Sequence, residues 1–130
     1  MSNKKKVLVV DDEQDVLTFL TTLFEDNGYE TVTAEDGEEA FRKAQSERPD
    51  LITLDMSMPE HSGVRTFRDL KAHDELKAIP VIIVTGIGEP MQNFLNKMRN
   101  SPKPEGFVSK PIDRQELLRM ANDLTTRGSA

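Results

Sequence analysis

The segment Leu51-Ile52-Thr53-Leu54-Asp55 decides the predicted fold, because four apolar and β-branched residues run directly into a carboxylate. A short run of this kind is typical of a strand covered on both faces, as in a parallel sheet. Residues 7–10 (VLVV) and 81–84 (VIIV) have the same character. Residues 31–33 and 107–109 are shorter and more polar, and we interpret them as the two edge strands.

Between these strands, apolar residues recur with helical spacing. Five amphipathic helices are predicted, and their apolar faces fall within residues 16–24, 40–44, 64–70, 91–98 and 117–124. Strands that alternate with helices predict an α/β fold in which a doubly wound, five-stranded parallel sheet is covered on both faces. The edge character of the second and fifth strands favours the flavodoxin-like order 2-1-3-4-5.

The composition indicates one domain over residues 1–130, with a core from about 5 to 124 and a polar tail, or the start of a linker, at 125–130. The absence of cysteine excludes disulfides and thiolate metal sites. A net charge of −6 argues against direct nucleic-acid binding by this segment. No apolar run approaches the roughly 20 residues of a membrane helix, and we expect a cytoplasmic location.

Polar residues stand where the predicted strands end. The first strand is followed by Asp11 and Asp12, the third by Asp55, the fourth by Thr85 and the fifth by Lys110. The carboxyl ends of parallel strands face the same edge of a sheet, which is where ligands bind in such folds. We therefore expect three carboxylates, a hydroxyl and an amine to share one pocket.

Such a pocket points to metal-assisted phosphate chemistry. Neighbouring carboxylates repel each other, and a hard divalent cation such as Mg²⁺ relieves that repulsion while leaving positions for water and phosphate oxygens. A carboxylate beside the metal could attack phosphorus and form an aspartyl phosphate. Lys110 could hold a phosphoryl oxygen as a point charge, and Thr85 could donate a hydrogen bond to it.

Four motifs extend this argument: VLVVDDE at 7–13, LDMSMPEHSG at 54–63, PVIIVTG at 80–86 and GFVSKP at 106–111. Together they resemble the receiver domain of bacterial response regulators, a CheY-like family of two-component signalling proteins, over about residues 5–124. The second motif matches the family pattern D-x-x-M-P-x-x-x-G around the phosphorylated residue.

The resemblance implies a role for each acidic residue of the pocket. Asp55 would be the phosphoacceptor, and Asp12 and Asp55 would bind Mg²⁺ directly. Asp11 would act mainly through a water molecule, and the backbone carbonyl of Ser57 would supply a further ligand.

The resemblance also implies a switch and partners. Lys110 would contact the phosphoryl group, while Thr85 and Phe107 would form a switch pair whose rearrangement reports phosphorylation. A sensor histidine kinase or a histidine phosphotransfer protein would donate the phosphoryl group. An output protein would bind the face formed by the fourth helix, fifth strand and fifth helix. The chain would be a signalling phosphoacceptor that catalyses only its own phosphotransfer and dephosphorylation.

Two other functions use a similar set of residues. A Mg²⁺-dependent aspartyl-phosphate hydrolase usually carries a second acid two residues after its nucleophile, but that position here is Ser57. A phosphorylation-independent binding module of the same family would not need Asp55, Thr85 and Lys110 intact. A nucleotide-binding flavodoxin-like protein would need a glycine-rich loop after the first strand, where this chain has carboxylates.

Overall fold

The computed structural model describes residues 4–56, 58, 62–86 and 103–127. Within them, five parallel strands form one sheet in the order β2-β1-β3-β4-β5. Their bounds are β1 Lys6–Val10, β2 Glu30–Ala34, β3 Leu51–Leu54, β4 Val81–Thr85 and β5 Gly106–Ser109. The predicted α/β class, strand order and flavodoxin-like fold are confirmed.

The described part of the chain contains four helices: α1 Gln14–Asp26, α2 Gly37–Glu47, α3 Ser62–Ala72 and α4 Arg114–Arg127. Helix α4 is the fifth helix of the sequence prediction. The predicted fourth helix, at 91–98, lies outside the described residues. None of these four helices is long and apolar enough to cross a bilayer.

The core has two layers, one on each face of the sheet. Alternate residues of β1 show the division: Leu8 and Val10 pack in the layer that also holds residues of α2 and α3. Val7 and Val9 pack on the other face with residues of α1 and α4. Because both faces of the central strands are covered, their sequences are apolar at nearly every position.

Polar caps fix where two helices start, and therefore how the loops at the carboxyl edge of the sheet are held. The Asp36 carboxylate accepts a hydrogen bond from the Glu39 amide at 2.8 Å, at the start of α2. The last helix is capped in the same way, since the Asp113 carboxylate accepts a hydrogen bond from the Glu116 amide at 3.1 Å.

At the opposite edge, an ion pair between the buried Lys71 and the partly exposed Glu105 joins α3 to the starts of β4 and β5. The Lys71 ammonium lies 2.9 and 2.8 Å from the two carboxylate oxygens of Glu105. It also donates to the carbonyl oxygens of Lys77 and Ile79 at 3.3 and 3.2 Å. The Glu105 carboxylate accepts a further bond from the Val81 amide at 2.8 Å. None of the four sequence motifs contains Lys71 or Glu105, so they give no indication of this cluster.

Candidate functional site

The sheet brings two aspartates side by side. Asp55 directly follows β3, and its amide donates to the Val10 carbonyl at the end of β1 at 3.0 Å. Asp11 directly follows β1, and its amide donates to the Ala34 carbonyl at the end of β2 at 3.1 Å. The parallel register therefore carries residues from distant parts of the sequence to one point on the carboxyl edge.

Three carboxylates converge there. One oxygen from each of Asp11, Asp12 and Asp55 lies within 4.8 Å of the others. Asp11 and Asp55 are each 1% exposed, whereas Asp12 is exposed to solvent. The cluster is thus an acidic pocket with a buried floor that opens to water on the side of Asp12.

The position of Asp11 makes its ionisation costly. Burial is the largest cause that raises the pKa of its carboxyl group above the usual value, and the nearby charge of Asp55 raises it further. Two contacts act in the opposite direction: the Glu13 amide donates to Asp11 Oδ1 at 2.9 Å, and the Lys110 ammonium lies near the other oxygen. Burial and the Asp55 charge together outweigh these two contacts, so the pKa of Asp11 stays above its usual value.

Lys110 reaches the pocket from the end of β5. Its Nζ lies 3.3 Å from Asp11 Oδ2 and 3.9 Å from Asp55 Oδ1. Its backbone amide donates to the Thr85 carbonyl at 2.9 Å, which aligns the end of β5 with the end of β4. Thr85 itself is fully buried. The structure therefore gathers five predicted site residues, from the ends of four strands, at one edge of the sheet.

The donor atoms of this pocket suit a divalent cation. Carboxylate oxygens are the ligands that Mg²⁺ prefers, and a cation would offset the mutual repulsion of the three carboxylates. Ser57, whose carbonyl is a predicted further ligand, lies outside the described residues. The described carboxylates therefore fit the ion, whereas the predicted ligand at Ser57 stays a prediction.

Gly63 has a packing role that the sequence motif did not explain. A Cβ atom at this position would lie 2.5 Å from the Asp55 carbonyl oxygen and 2.8 Å from Met56 Cα. Both contacts are with backbone, so any side chain would displace the segment that carries Asp55. The motif contained this glycine, but the close approach of α3 to the end of β3 is visible only in the structure.

Phe107, predicted as half of a switch pair, lies in β5. Its side chain is half-buried and packs against the core layer beneath α2 and α3. The ring therefore bridges the surface and the interior. Its predicted movement with Thr85 remains a prediction.

Comparisons with known proteins agree on one family. The family model described as "Response regulator receiver domain" matches residues 7–122. The chain is 39% identical over 108 residues to the polar-differentiation response regulator DivK of Brucella anthropi, covering 83% of this chain and 85% of DivK. It is 34% identical over 113 residues to the alkaline phosphatase synthesis transcriptional regulatory protein PhoP of Bacillus subtilis, covering 87% of this chain.

The match to PhoP covers only 45% of that protein's length, so the chain spans less than half of this relative. A solved structure of the chemotaxis response regulator CheY4 of Vibrio cholerae superposes with a TM-score of 0.81 at 30% identity. That superposition covers 94% of this chain and 99% of the CheY4 chain.

Proposed function

Because this chain belongs to the response regulator receiver family, we propose that Asp55 accepts a phosphoryl group in a Mg²⁺-dependent reaction. The donor is the phosphohistidine of a sensor histidine kinase or of a histidine phosphotransfer protein. Phosphorylation then changes the conformation of the chain and its affinity for an output partner. The observation that carries this proposal is the convergence of three carboxylates within 4.8 Å beside the Lys110 ammonium.

Asp55 is the best placed nucleophile of the three. A carboxylate oxygen of Asp55 forms a bond to phosphorus while the bond from phosphorus to the donor's imidazole nitrogen breaks, and that nitrogen then takes a proton from solvent. Asp11 is less suited, because its Oδ1 accepts the Glu13 amide and its Oδ2 is the oxygen nearest Lys110. Asp12 lies at the exposed side of the pocket, where it can hold a metal without being the acceptor.

The remaining groups of the pocket balance the negative charge of the phosphoryl group during its transfer. Mg²⁺, bound directly by Asp12, Asp55 and the Ser57 carbonyl and through water by Asp11, would neutralise the oxygens of the transferring phosphoryl group. The Lys110 ammonium, 3.9 Å from Asp55, then holds one phosphoryl oxygen.

The conformational change is transmitted from the pocket through the ends of β4 and β5. The Thr85 hydroxyl moves to bond the phosphoryl group, and the half-buried Phe107 ring turns inward behind it. This changes the face formed by β5, α4 and residues 91–98, where the output partner binds. The 91–98 part of that face lies outside the described residues.

The whole chain, 1–130, acts in this proposal as one cytoplasmic receiver unit. It catalyses its own phosphorylation and dephosphorylation and no reaction on another substrate. Neither nucleic acid nor membrane is bound directly by this segment, in keeping with its net charge of −6.

Intact mass spectrometry tests the proposal. The chain is incubated with acetyl phosphate with and without Mg²⁺, beside the Asp55→Asn variant, and then with a purified histidine kinase as a second donor. We expect one phosphoryl adduct that requires Mg²⁺ and is absent from the variant. An adduct that persists in Asp55→Asn, or no adduct from either donor, would refute the assignment.

A further inference from the structure

The outer surface between α2 and α3 forms a groove, which we call the α2–α3 groove, with a volume of about 610 Å³. Its apolar part is the half-buried Phe41 ring. The groove is also lined by Thr66, which is 3% exposed and whose hydroxyl has no hydrogen-bond partner in the part of the chain that the structure describes. The groove therefore offers both an apolar surface and an unused polar group to a partner.

Four charged side chains line the two walls of the groove. Glu38 and Arg42 belong to α2, and Arg65 and Asp69 belong to α3. All four are exposed. We call them the groove charges. Each wall has one acid and one base four residues apart, a spacing that places both on the same side of a helix.

The groove charges are not used within the fold. None of the four makes an ion pair or a side-chain hydrogen bond with the residues that the structure describes. By contrast, Lys43, which is next to Arg42 in the sequence, lies 3.7 Å from Glu39. Asp36 also lines the groove, but its carboxylate caps α2. The groove charges are therefore available to another molecule.

The signs of the groove charges alternate from one wall to the other. Because α2 and α3 connect parallel strands, both run antiparallel to the sheet and therefore parallel to each other. Near the helix starts, α2 has the acid Glu38 and α3 has the base Arg65. About one turn further along, α2 has the base Arg42 and α3 has the acid Asp69. Opposite charges thus lie across the groove, and like charges lie on its diagonals.

This alternating pattern is complementary to itself. A two-fold axis in the plane of an interface brings the same face of two copies together, so that contacts occur in reciprocal pairs. If the axis runs along the groove, Glu38 of one copy meets Arg65 of the other. If the axis runs across the groove, Glu38 meets Arg42. Either axis places every acid among the groove charges against a base of the second copy.

We propose that the α2–α3 groove is the contact surface of a homodimer, in which each copy of this chain covers the groove of the other. A partner with charges of one sign, such as nucleic acid, would meet two like charges among the four. A second copy meets none. The inference does not depend on phosphorylation of Asp55, so its failure would leave the proposed function unaffected.

The size of the surface sets the expected strength of the dimer. Helices of 11 residues are about 16 Å long and pack about 10 Å apart, so this face buries roughly 1,000 Å² in the two copies together. That area is at the low end for specific interfaces, and the net charge of −6 on each copy adds repulsion. We therefore expect a monomer–dimer equilibrium between about 10 µM and 1 mM protein.

Charge complementation, followed by sedimentation equilibrium at near-physiological salt, tests the proposal. The Glu38→Arg/Asp69→Arg variant makes all four groove charges positive, and Arg42→Glu/Arg65→Glu makes all four negative. Each variant alone should dimerise at least roughly tenfold more weakly than the parent chain, because like charges then meet. An equimolar mixture should form a heterodimer at least as readily as the parent forms its homodimer. Misfolded variants could not produce this recovery.

Matched controls make the same changes of charge on the other face of the sheet. Asp26→Arg/Asp123→Arg and Arg114→Glu/Arg119→Glu alter exposed residues of α1 and α4. Each control should dimerise within about threefold of the parent chain, because its substitutions act only through screened, long-range charge. Equal losses in the groove variants and the controls, or a mixture of groove variants that stays monomeric, would overturn the inference.

A second measurement uses the parent chain alone. Dilution of the ¹⁵N-labelled protein from about 1 mM should shift the amide NMR signals of α2 and α3 and leave those of α1 and α4 in place. A parent chain that is monomeric throughout this range, or shifts confined to other elements, would refute the proposed dimer whether or not the variants fold.

Discussion

Lys71→Met should destabilise the protein, because it breaks the ion pair that joins α3 to the starts of β4 and β5. The Lys71 side chain is only 3% exposed, and it contacts both Glu105 oxygens and two backbone carbonyls. Methionine keeps most of the length of the side chain but removes the ammonium. The two carbonyls lose a donor, and the Glu105 carboxylate keeps only the Val81 amide among its described partners.

The expected loss follows from the burial of the two partners. Breaking a fully buried pair costs about 3–5 kcal/mol. The Glu105 side chain is 34% exposed, so water screens part of its charge, and we expect a loss of about 2–3 kcal/mol. For a chain of 130 residues, that loss lowers the unfolding midpoint by roughly 7–11 °C.

Urea and thermal unfolding followed by circular dichroism measure this effect in Mg²⁺-free buffer. Lys77→Met is the matched control, since the Lys77–Asp74 pair is 3.5 Å long with side chains 58% and 95% exposed. Lys77→Met should lower the free energy of unfolding by less than about 0.5 kcal/mol. The double variant Lys71→Met/Glu105→Gln should lose less than the sum of the two single losses, because the partners interact. A Lys71→Met loss no larger than the control's, or strictly additive losses, would refute the reasoning.

Three further perturbations have expected outcomes. Gly63→Ala places a Cβ atom against the backbone of Asp55. This substitution should lower the free energy of unfolding, measured in urea, by about 1–3 kcal/mol and should slow labelling by acetyl phosphate. Parent-like values for both would contradict the packing argument. Thr53→Val should raise the unfolding midpoint by about 3–4 °C, roughly 1 kcal/mol, because the buried Thr53 hydroxyl has no hydrogen-bond partner among the residues that the structure describes. An unchanged or lower midpoint would count against this. Asp11→Asn should raise the midpoint of the metal-free protein at pH 7 and weaken its stabilisation by Mg²⁺. The raised pKa of Asp11 means that stability falls as pH rises from the ordinary carboxyl pKa through the raised folded-state pKa. In thermal scans from pH 4 to 8, the unfolding midpoint should therefore fall less with rising pH in Asp11→Asn than in the parent chain. The same pH dependence in both proteins would contradict this prediction.

Most of the fold could be predicted because its main signals are local. The runs at 51–54 and 81–84 are apolar at nearly every position since both sheet faces are covered, and the helices carry apolar residues at 3.6-residue spacing. The strand bounds differ slightly from the prediction: β1, β2 and β5 each begin one residue before the predicted segment, and β2 and β4 each end one residue after it. Strand ends bond to neighbouring strands, and that pairing is not encoded in local periodicity.

The sequence by itself determined which residues stand at the carboxyl ends of the strands, and therefore that Asp11, Asp55, Thr85 and Lys110 would share one edge of a parallel sheet. Only the tertiary structure decided how these groups interact. The preference of Lys110 for Asp11 over Asp55, the raised pKa of Asp11 and the contact of Lys71 with Glu105 all depend on distances between side chains. The physical reason is that periodicity reports which face of an element is buried, whereas charge interactions and close packing depend on ångström-scale distances set by the fold as a whole.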